Sequence, residues 1–321
     1  MPELRPILVT GAAGFIGSHV CQALLARGNR VVGVDNFDPF YPKADKERNL
    51  REVGPALTFE PGDITDAPAM DALFARHHPV GVIHLAAKAG VRPSIADPVG
   101  YAHTNITGTA VMQHAAARAG CERLVVASSS SVYGNSPEAP FRETQDVSRP
   151  ISPYAASKCA TELLGHTHHA LTGMPTAELR FFTVFGPRQR PDLAIAKFLA
   201  AVRDGRPVTL FGDGSMSRDY TFIDDIVAGV LAAYDRIPQH GYRVWNLGGN
   251  RPVALGEMLA TIERVVGKKA DIRREPMQPG DVDRTWADLT RAAAELGYQP
   301  RTPFEAGVTR QWAWVRSESI P

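Results

Sequence analysis

Short apolar runs that alternate with amphipathic, helix-patterned stretches constrain the fold of this chain most strongly. The stretches between the runs, such as residues 19–27 and 66–76, place apolar side chains at helical spacing. Continuous apolar strands interleaved with helices are typical of a parallel sheet that is covered on both faces. The pattern therefore predicts a doubly wound α/β fold. Its first strands are predicted at residues 6–10, 30–35, 56–62, 80–86 and 123–128.

The length of 321 residues leaves room for a second, smaller lobe. One more strand-like run covers residues 175–185, and after Gly186 the pattern loosens into loops rich in proline, arginine and glycine. Helices are predicted within this second part at residues 193–203, 225–234 and 256–266.

Composition excludes several classes of function. Lys plus Arg number 35 and Asp plus Glu number 34, so the net charge of +1 gives no support for a nucleic-acid-binding surface. No apolar run reaches the ~18 residues of a membrane-spanning helix. Three widely spaced cysteines indicate a reducing compartment, and we expect the protein to be cytoplasmic. We expect no metal site, because no carboxylate follows the clustered histidines at metal-ligand spacing; these are His166, His168 and His169.

A glycine-rich turn follows the first predicted strand directly. Gly11, Gly14 and Gly17 stand where a strand turns sharply into a helix and where the backbone must approach a pyrophosphate. Their spacing is GxxGxxG, which by itself is a weak signal. Asp35 strengthens it, because a carboxylate at the end of the next strand can accept hydrogen bonds from an adenosine ribose and repels a 2′-phosphate. These residues predict a dinucleotide site that prefers NAD to NADP.

A tyrosine and a lysine lie four residues apart on the helix predicted after a serine-rich strand end. Tyr154 and Lys158 share a helix face, and an ammonium group near a phenol lowers the phenol's pKa. A serine from the run at 128–131 can orient an alcohol beside them. The YxxxK spacing alone is a common feature of helix surfaces, but behind a dinucleotide turn it predicts a proton acceptor for hydride transfer.

These motifs resemble the extended short-chain dehydrogenase/reductases, and among them the nucleotide-sugar epimerases. The resemblance rests on TGAAGFIGSH, Asp35-Asn36, HLAA from His84, SSSSVYG and YAASK. It implies a Rossmann fold, NAD as cofactor and the catalytic residues Ser129, Tyr154 and Lys158. Family dehydratases carry an acidic pair where this chain has Ser130 and Ser131, which disfavours dehydration. The expected cofactor-binding residues are Gly11, Gly14, Phe15, Ile16, Gly17, Asp35, Asn36, Asp63, Ile64, Leu85, Ala86, Ala87, Tyr154 and Lys158. For Asp63, a contact with adenine and a plain turn-forming role are nearly equal alternatives.

The predicted domain division follows from the same resemblance. Residues 1–180, with roughly 218–248, are expected to form the NAD-binding Rossmann domain. Residues 181–217 and 249–321 are expected to form a UDP-sugar-binding lobe.

A wider set of residues, from both halves of the chain, narrows the resemblance to the UDP-glucuronate 4-epimerases. The residues that carry it are Asp35 to Tyr41, Lys88 to Ser94, Arg180 to Pro187, Arg190 to Asp192 and Ser217 to Asp225. Thr183-Val184 stands where UDP-glucose 4-epimerases tend to have Asn-Pro and UDP-glucuronate decarboxylases Asn-Thr. Lys88 and Gln278 depart from the family pattern. The resemblance implies a set of substrate-binding residues: Arg92, Ser129, Ser130, Thr183, Arg190, Arg218 and Asp281.

The implied reaction is C4 epimerisation of UDP-glucuronate to UDP-galacturonate. Tyr154 removes the C4 hydroxyl proton as the C4 hydride passes to NAD⁺. The resulting 4-keto sugar rotates and presents its opposite face, where the hydride returns to C4 and Tyr154 returns the proton to the C4 oxygen. Alternatives are a UDP-glucose or UDP-N-acetylglucosamine 4-epimerase, a UDP-glucuronate decarboxylase, and a non-catalytic dinucleotide-sensing protein. The resemblance also suggests a homodimer formed through the helices predicted near residues 100–119 and 154–171.

Overall fold

A computed structural model describes residues 5–276 and 282–317. Within that part of the chain, short strands and longer helices alternate as the sequence predicts. The strands are β1 (Ile7–Thr10), β2 (Val31–Asp35), β3 (Thr58–Pro61), β4 (Gly81–His84), β5 (Leu124–Ser129), β6 (Thr176–Phe181), β7 (Thr183–Phe185), β8 (Val208–Phe211), β9 (Ser217–Phe222), β10 (Tyr242–Leu247), β11 (Pro252–Ala254) and β12 (Ile272–Glu275). The helices are α1 (Phe15–Ala26), α2 (Lys43–Val53), α3 (Ala67–His77), α4 (Val91–Ala96), α5 (Pro98–Ala102), α6 (Gly108–Arg118), α7 (Pro153–Thr172), α8 (Ala194–Asp204), α9 (Ile223–Arg236), α10 (Leu255–Val266), α11 (Thr290–Leu296) and α12 (Phe304–Ser317).

A seven-stranded parallel sheet forms the centre of the molecule, in the order β10-β6-β5-β4-β1-β2-β3. Strand β1 pairs with β2 on one side and with β4 on the other, so the direction of winding reverses between β1 and β4. In open α/β sheets the ligand crevice lies outside the carboxyl ends of the strands at such a reversal. The predicted doubly wound fold is confirmed, and its topology places a binding site beyond Thr10 and His84.

Helices cover both faces of this sheet, which explains why inner strands such as β1 and β2 are mostly apolar and buried at every position. On β1, Ile7 and Val9 pack into the cluster that includes side chains of α1 and α9. Leu8, between them, packs into the cluster on the opposite face, with side chains of α3 and α6. Burying an aliphatic side chain on each face contributes roughly 1.5–3 kcal/mol per residue.

The predicted strand at residues 175–185 is wrong in one respect, because the chain divides it between two sheets. Strand β6 stays in the central sheet between β5 and β10, whereas β7 pairs in parallel with β9 in a three-stranded sheet of order β11-β9-β7. A separate two-stranded sheet joins β12 to β8. The predicted domain division remains a prediction. The segment 218–248, assigned to the Rossmann domain, includes β10, which lies in the central sheet. The same segment begins in β9, which lies in the three-stranded sheet.

Arg188 ties the loop after β7 to the first helices of the chain. It adopts a φ of 63°, and its guanidinium donates to Glu52 Oε2 at 2.7 Å and to Gln22 Oε1 at 2.8 Å. Trp314 of α12 donates to the other oxygen of Glu52 at 3.2 Å. These contacts hold α1, α2 and α12 against the loop that leads into the second half of the chain.

None of the helices in the described ranges is long and apolar enough to cross a membrane. The same residues contain no group of three or more histidine, cysteine, aspartate or glutamate side chains that could hold a metal ion.

Candidate active site

The glycine-rich turn after β1 forms one end of the site. Gly11 has a φ of 70°, and a Cβ there would lie 2.9 Å from the backbone nitrogen of Ala86. A Cβ at Gly17 would lie 2.0 Å from the carbonyl oxygen of Gly11. Neither position therefore tolerates a side chain without movement of the backbone. The turn brings the first residues of α1 against the end of β4, where the backbone can approach a phosphate group.

Asp35, at the end of β2, is buried at the edge of the same cleft, with 7% of its surface exposed. One oxygen accepts the Ala13 backbone N–H at 3.2 Å, and the other accepts the Phe37 N–H at 2.8 Å and lies 3.4 Å from Lys46 Nζ. The turn and α2 thus fix the carboxylate in place. Sequence reasoning missed Lys46, because it lies in the strongly polar helix α2 with no motif to distinguish it.

Asn36 and Asp63 come from neighbouring strand ends and contact each other. Asn36 lines the cleft and donates from Nδ2 to Asp63 Oδ2 at 2.9 Å. Asp63 does not line the cleft itself. Its second oxygen accepts hydrogen bonds from the backbone N–H and hydroxyl of Thr65, and these bonds contribute to a pKa below the usual range. These contacts agree with the turn-forming alternative for Asp63. The Asp63 carboxylate also binds the side chain of Asn36.

One cleft of about 480 Å³ joins this dinucleotide end to the predicted reacting centre. Tyr154 and Lys158 of α7 line it together with the residues expected to bind the cofactor. The cofactor-binding predictions found in its wall are Gly11, Gly14, Phe15, Ile16, Gly17, Asp35, Asn36, Ile64, Leu85, Ala86 and Ala87. The fold thus brings residues from the ends of β1, β2, β3 and β4 and from α7 to one cavity.

Tyr154 is held between several polar groups at the inner end of this cleft. Burial raises the pKa of its phenol, whereas a hydrogen bond with Ser129 and the positive charge of Arg190 lower it. The ring of Tyr101 packs edge-on against that of Tyr154, with centroids 6.2 Å apart. The net direction is upward, so these side chains alone do not favour the phenolate.

Lys158 lines the cleft with Tyr154, and its ammonium group binds the strand backbone. Its Nζ donates to the backbone oxygen of Ala127 at 2.6 Å. Burial lowers the pKa of this ammonium to about 8, against the negative charges of Glu178 and Glu162. The i, i+4 spacing placed both side chains on the cleft but could not predict that the strand backbone would bind the ammonium.

The serine run is used differently from the prediction. Ser129 is buried, hydrogen-bonds to Tyr154, and also accepts the Ser131 backbone N–H at 3.1 Å. Ser131 lines the cleft, whereas Ser130 does not. Ser128 also lines the cleft and Ser129 does not. The chain turns into a short 3₁₀ helix at Ser130–Tyr133.

Two predicted substrate-binding residues, Thr183 and Arg190, line the cleft. Arg190 binds Asp192 through Nε and Nη2 at 2.9 and 2.7 Å, and Nη2 lies 3.3 Å from the Ala89 oxygen. Lys88 lines the cleft as well, and its Nζ lies 3.0 Å from Asp97 Oδ2.

The other arginines predicted for substrate binding are not part of this wall. The guanidinium of Arg92 stacks over the ring of Phe211 at 4.7 Å. Arg218, on β9, donates to the backbone oxygen of Ser217 at 2.9 Å. Asp281 and Gln278 lie outside the described residues.

Asn105 is a buried polar residue that sequence reasoning missed. It lies in a π-helical turn, His103–Thr107, between α5 and α6. Its side chain bonds both the N–H and the carbonyl oxygen of Lys88, at 2.8 and 3.0 Å, and donates to Ser157 Oγ at 2.9 Å. Ser157 in turn donates to the carbonyl oxygen of Tyr154 at 2.7 Å. Asn105 therefore fixes the Lys88 loop relative to the first turn of α7.

A Rossmann sheet with a glycine-rich turn at one end of a cleft and a Tyr154–Lys158 pair at the other defines the class of short-chain, dinucleotide-binding enzymes. The chain belongs to the NAD dependent epimerase/dehydratase family, which it matches over residues 7–248. The predicted resemblance and the predicted cofactor, NAD, are confirmed.

Individual relatives are similar over nearly their whole length. The UDP-glucuronate 4-epimerase of Thermodesulfobacterium geofontis is 40% identical over 313 residues, which cover 96% of this chain and 95% of that protein. The crystal structure of UDP-glucuronic acid 4-epimerase from Bacillus cereus, in complex with UDP-glucuronic acid and NAD, matches with a TM-score of 0.91 and 35% identity, over 98% of this chain and 99% of that one. The UDP-glucose 4-epimerase of Thermotoga maritima, solved with UDP-glucose, gives a TM-score of 0.90 and 32% identity, with coverage of 98% and 99%.

Proposed function

We propose that this protein interconverts UDP-glucuronate and UDP-galacturonate by epimerisation at C4, with NAD as a bound cofactor. The observation that carries the proposal is that Tyr154, Lys158, Ser131, Thr183 and Arg190 line the same cleft as the dinucleotide turn. A relative with the same activity in its name is 40% identical over 96% of the chain.

The residues of the turn and the neighbouring strand ends fit NAD. Gly11 and Gly17 leave no room for side chains, so the backbone N–H groups at the start of α1 are free to approach a pyrophosphate. Asp35 supplies a carboxylate for the ribose and disfavours a 2′-phosphate. When bound, NAD supplies the hydride acceptor and a positive charge near Tyr154.

Tyr154 and Ser129 are proposed to handle the proton. The Tyr154 oxygen accepts the proton of the C4 hydroxyl and later returns it to the opposite face of the sugar, and Ser129 orients the reacting oxygens through its hydrogen bond to Tyr154. Lys158, anchored to Ala127, contributes a positive charge that favours the phenolate.

Thr183 and Arg190 are proposed to control the uronate carboxylate. A 4-keto uronate is a β-keto acid and loses CO₂ when its C5–carboxylate bond aligns with the carbonyl π-system. An epimerase must therefore hold the carboxylate out of that alignment. The Thr183 hydroxyl can donate a hydrogen bond to the carboxylate, and Arg190 is held rigidly by Asp192 in the same wall.

The predicted contacts to the rest of the substrate stay proposals. We assign Arg218 to the UDP diphosphate and Asp281 to the uridine ribose. We also propose the division of the chain into a Rossmann domain and a UDP-sugar-binding lobe. Neither Arg218 nor Arg92 lines the cleft, and Arg92 stacks on Phe211.

The purified protein is expected to convert UDP-glucuronate to UDP-galacturonate without added NAD and without release of CO₂. Proton NMR of the sugar anomeric signals, followed by the same measurement on UDP-glucose, checks this.

A Thr183→Ala variant should form more UDP-pentose relative to UDP-galacturonate. Conversion of UDP-glucose alone would support the neutral-sugar epimerase, and a UDP-pentose as main product of the unmodified protein would support the decarboxylase.

We also propose that two copies of the chain associate through α5, α6 and α7. These helices pack side by side, and Val99, Leu163 and Leu171 stand 78%, 71% and 80% exposed on them. Leu163, Thr167 and Leu171 follow at four-residue steps, so they share one face of α7. Large apolar side chains exposed together on neighbouring helices, here Val99 on α5 and the two leucines on α7, are typical of a surface that a partner covers.

Leu163→Glu is expected to shift the protein from dimer to monomer, because it places a charge in the proposed apolar interface. Light scattering coupled to size-exclusion chromatography measures the mass. Ile272→Glu, on the exposed strand β12, is the matched control and should leave the mass unchanged. A monomeric mass for the unmodified protein would rule out this interface.

A cytoplasmic location is proposed as well. Cys21, Cys121 and Cys159 are free thiols, and unpaired thiols persist in reducing compartments. Recovery of the protein in an extracytoplasmic fraction of its cells would contradict this.

A further inference from the structure

Four ionisable side chains lie buried behind the cleft, between α7 and β6. Arg180 donates from Nε and Nη2 to the two oxygens of Glu162, at 2.8 and 2.7 Å. Glu162 also accepts the hydroxyl of Ser128 at 2.5 Å. It follows Lys158 by four residues, so both side chains leave the same face of α7. Glu162 and Arg180 thus form a fully hydrogen-bonded ion pair next to Lys158.

Glu178, the fourth member, has no comparable partner. Its exposure is 0%, and neither carboxyl oxygen receives a hydrogen bond from the described residues. Gly165 of α7 makes room for it, because a Cβ there would lie 2.3 Å from Glu178 Oε1. A carboxylate without donors is strongly disfavoured in such surroundings, so the acid form is favoured.

We propose that Glu178 is a titratable countercharge that keeps Lys158 charged as the pH rises, an inference that rests on the proposed role of Lys158. With the acid protonated, the cluster holds two positive charges, on Lys158 and Arg180, and one negative charge, on Glu162. As the pH rises, the O–H bond of Glu178 breaks and its proton passes to solvent, while the ammonium keeps its three protons. The carboxylate that forms then stabilises the ammonium electrostatically.

The titratable groups around Glu178 come from three elements. Lys158 and Glu162 belong to α7, Arg180 to β6, and Tyr242, whose hydroxyl donates to the Glu162 backbone oxygen at 2.9 Å, to β10. Burial and then the charge of Glu162 raise the pKa of Glu178 well above its usual range, against Lys158 and Arg180. Burial lowers the pKa of Lys158, and among the charges that raise this pKa again, the charge of Glu178 has the largest effect. Two histidine rings pack on Tyr242 from α7, namely His166 and His169.

Glu178→Gln tests the proposal through the pH dependence of kcat/KM for UDP-glucuronate. The amide has the same shape but no proton to release, so Lys158 loses its charge at a lower pH. We expect the alkaline limb of the pH profile of kcat/KM to move to lower pH by roughly one unit, so that kcat/KM falls about tenfold at the alkaline end. The acid limb should stay unchanged. Glu143→Gln is the control: this buried carboxylate accepts the Asn246 backbone N–H at 2.9 Å and is not among the charges acting on Lys158.

A second measurement needs no substrate and separates this proposal from the proposed reaction. The folded state holds the Glu178 proton that the unfolded chain releases above about pH 4.3, so protein stability should decline as pH rises toward the folded-state pKa. Thermal unfolding from pH 5 to 9 should show a shallower decline for Glu178→Gln than for the unmodified protein.

An alkaline limb at the same pH in an active Glu178→Gln protein would overturn the proposal, and so would an unchanged stability slope. If the single variant does not fold, Gly165→Ala with Glu178→Ala places a methyl group in the vacated space and should show the same two shifts. Failure of the proposed reaction would appear instead as unchanged turnover in Tyr154→Phe.

Discussion

Tyr154→Phe is expected to lower kcat for C4 epimerisation by about three orders of magnitude. The substitution removes one oxygen atom, the proton acceptor of the proposed mechanism, and keeps the ring that packs against Tyr101. Without that oxygen the C4 hydroxyl has no positioned base, and the hydride cannot leave a carbon whose hydroxyl stays protonated. Turnover measured by NMR or by coupled assay of UDP-galacturonate gives the loss in kcat.

Tyr234→Phe is the matched control for this change. Its hydroxyl is buried and has no hydrogen-bond partner among the described residues, and Tyr234 does not line the cleft. We expect turnover close to that of the unmodified protein. Binding of UDP-glucuronate should survive in Tyr154→Phe, so a calorimetric titration that shows lost binding, or an assay that shows near-normal turnover, would contradict the proposed role.

Arg180→Met is expected to reduce the free energy of unfolding by about 3–5 kcal/mol. The guanidinium is 4% exposed and binds both oxygens of Glu162, which is 7% exposed, and it also donates to the Tyr133 hydroxyl at 2.9 Å. Removing it leaves a buried carboxylate with Ser128 as its one remaining side-chain donor among those described. Chemical denaturation at neutral pH measures the difference.

Arg76→Met serves as the comparison for Arg180→Met. The Arg76–Glu60 pair joins one guanidinium nitrogen to one carboxyl oxygen at 3.0 Å and lies on the surface, with the Arg76 side chain 60% exposed. Such pairs contribute about 0–1 kcal/mol. Adding Glu162→Leu to Arg180→Met should restore part of the lost stability, because it removes the unpaired charge. Equal small losses for both single variants would show that burial does not strengthen the inner pair.

The sequence predicts the centre of the sheet well because its inner strands β1, β2, β4 and β5 are buried on both faces. Runs such as the one containing Leu8 must be apolar at every position, and no tertiary contact alters that pattern. The split after Phe181 could not be predicted. The run continues to Phe185 without an interrupting glycine or proline, and only pairing with β9 draws its last residues into another sheet.

The site was predictable where one local motif determines the geometry. Gly11, Gly17 and Asp35 meet because the strand ends of a parallel sheet lie at one edge. The partners of charged side chains were not predictable, because they come from distant segments. Arg92 stacks on Phe211 and Lys158 binds the backbone of Ala127, and nothing in the spacing of either residue indicates those contacts.

The position of β10 has a consequence for how the chain is made on the ribosome. This strand pairs with β6, although β7, β8, β9, α8 and α9 come between them in the chain. A nascent chain that has emerged only as far as α9 therefore exposes the backbone of β6, which carries Glu178 and Arg180, as an open sheet edge. Open edges pair with other chains, so chaperones would be needed most during synthesis of this interval.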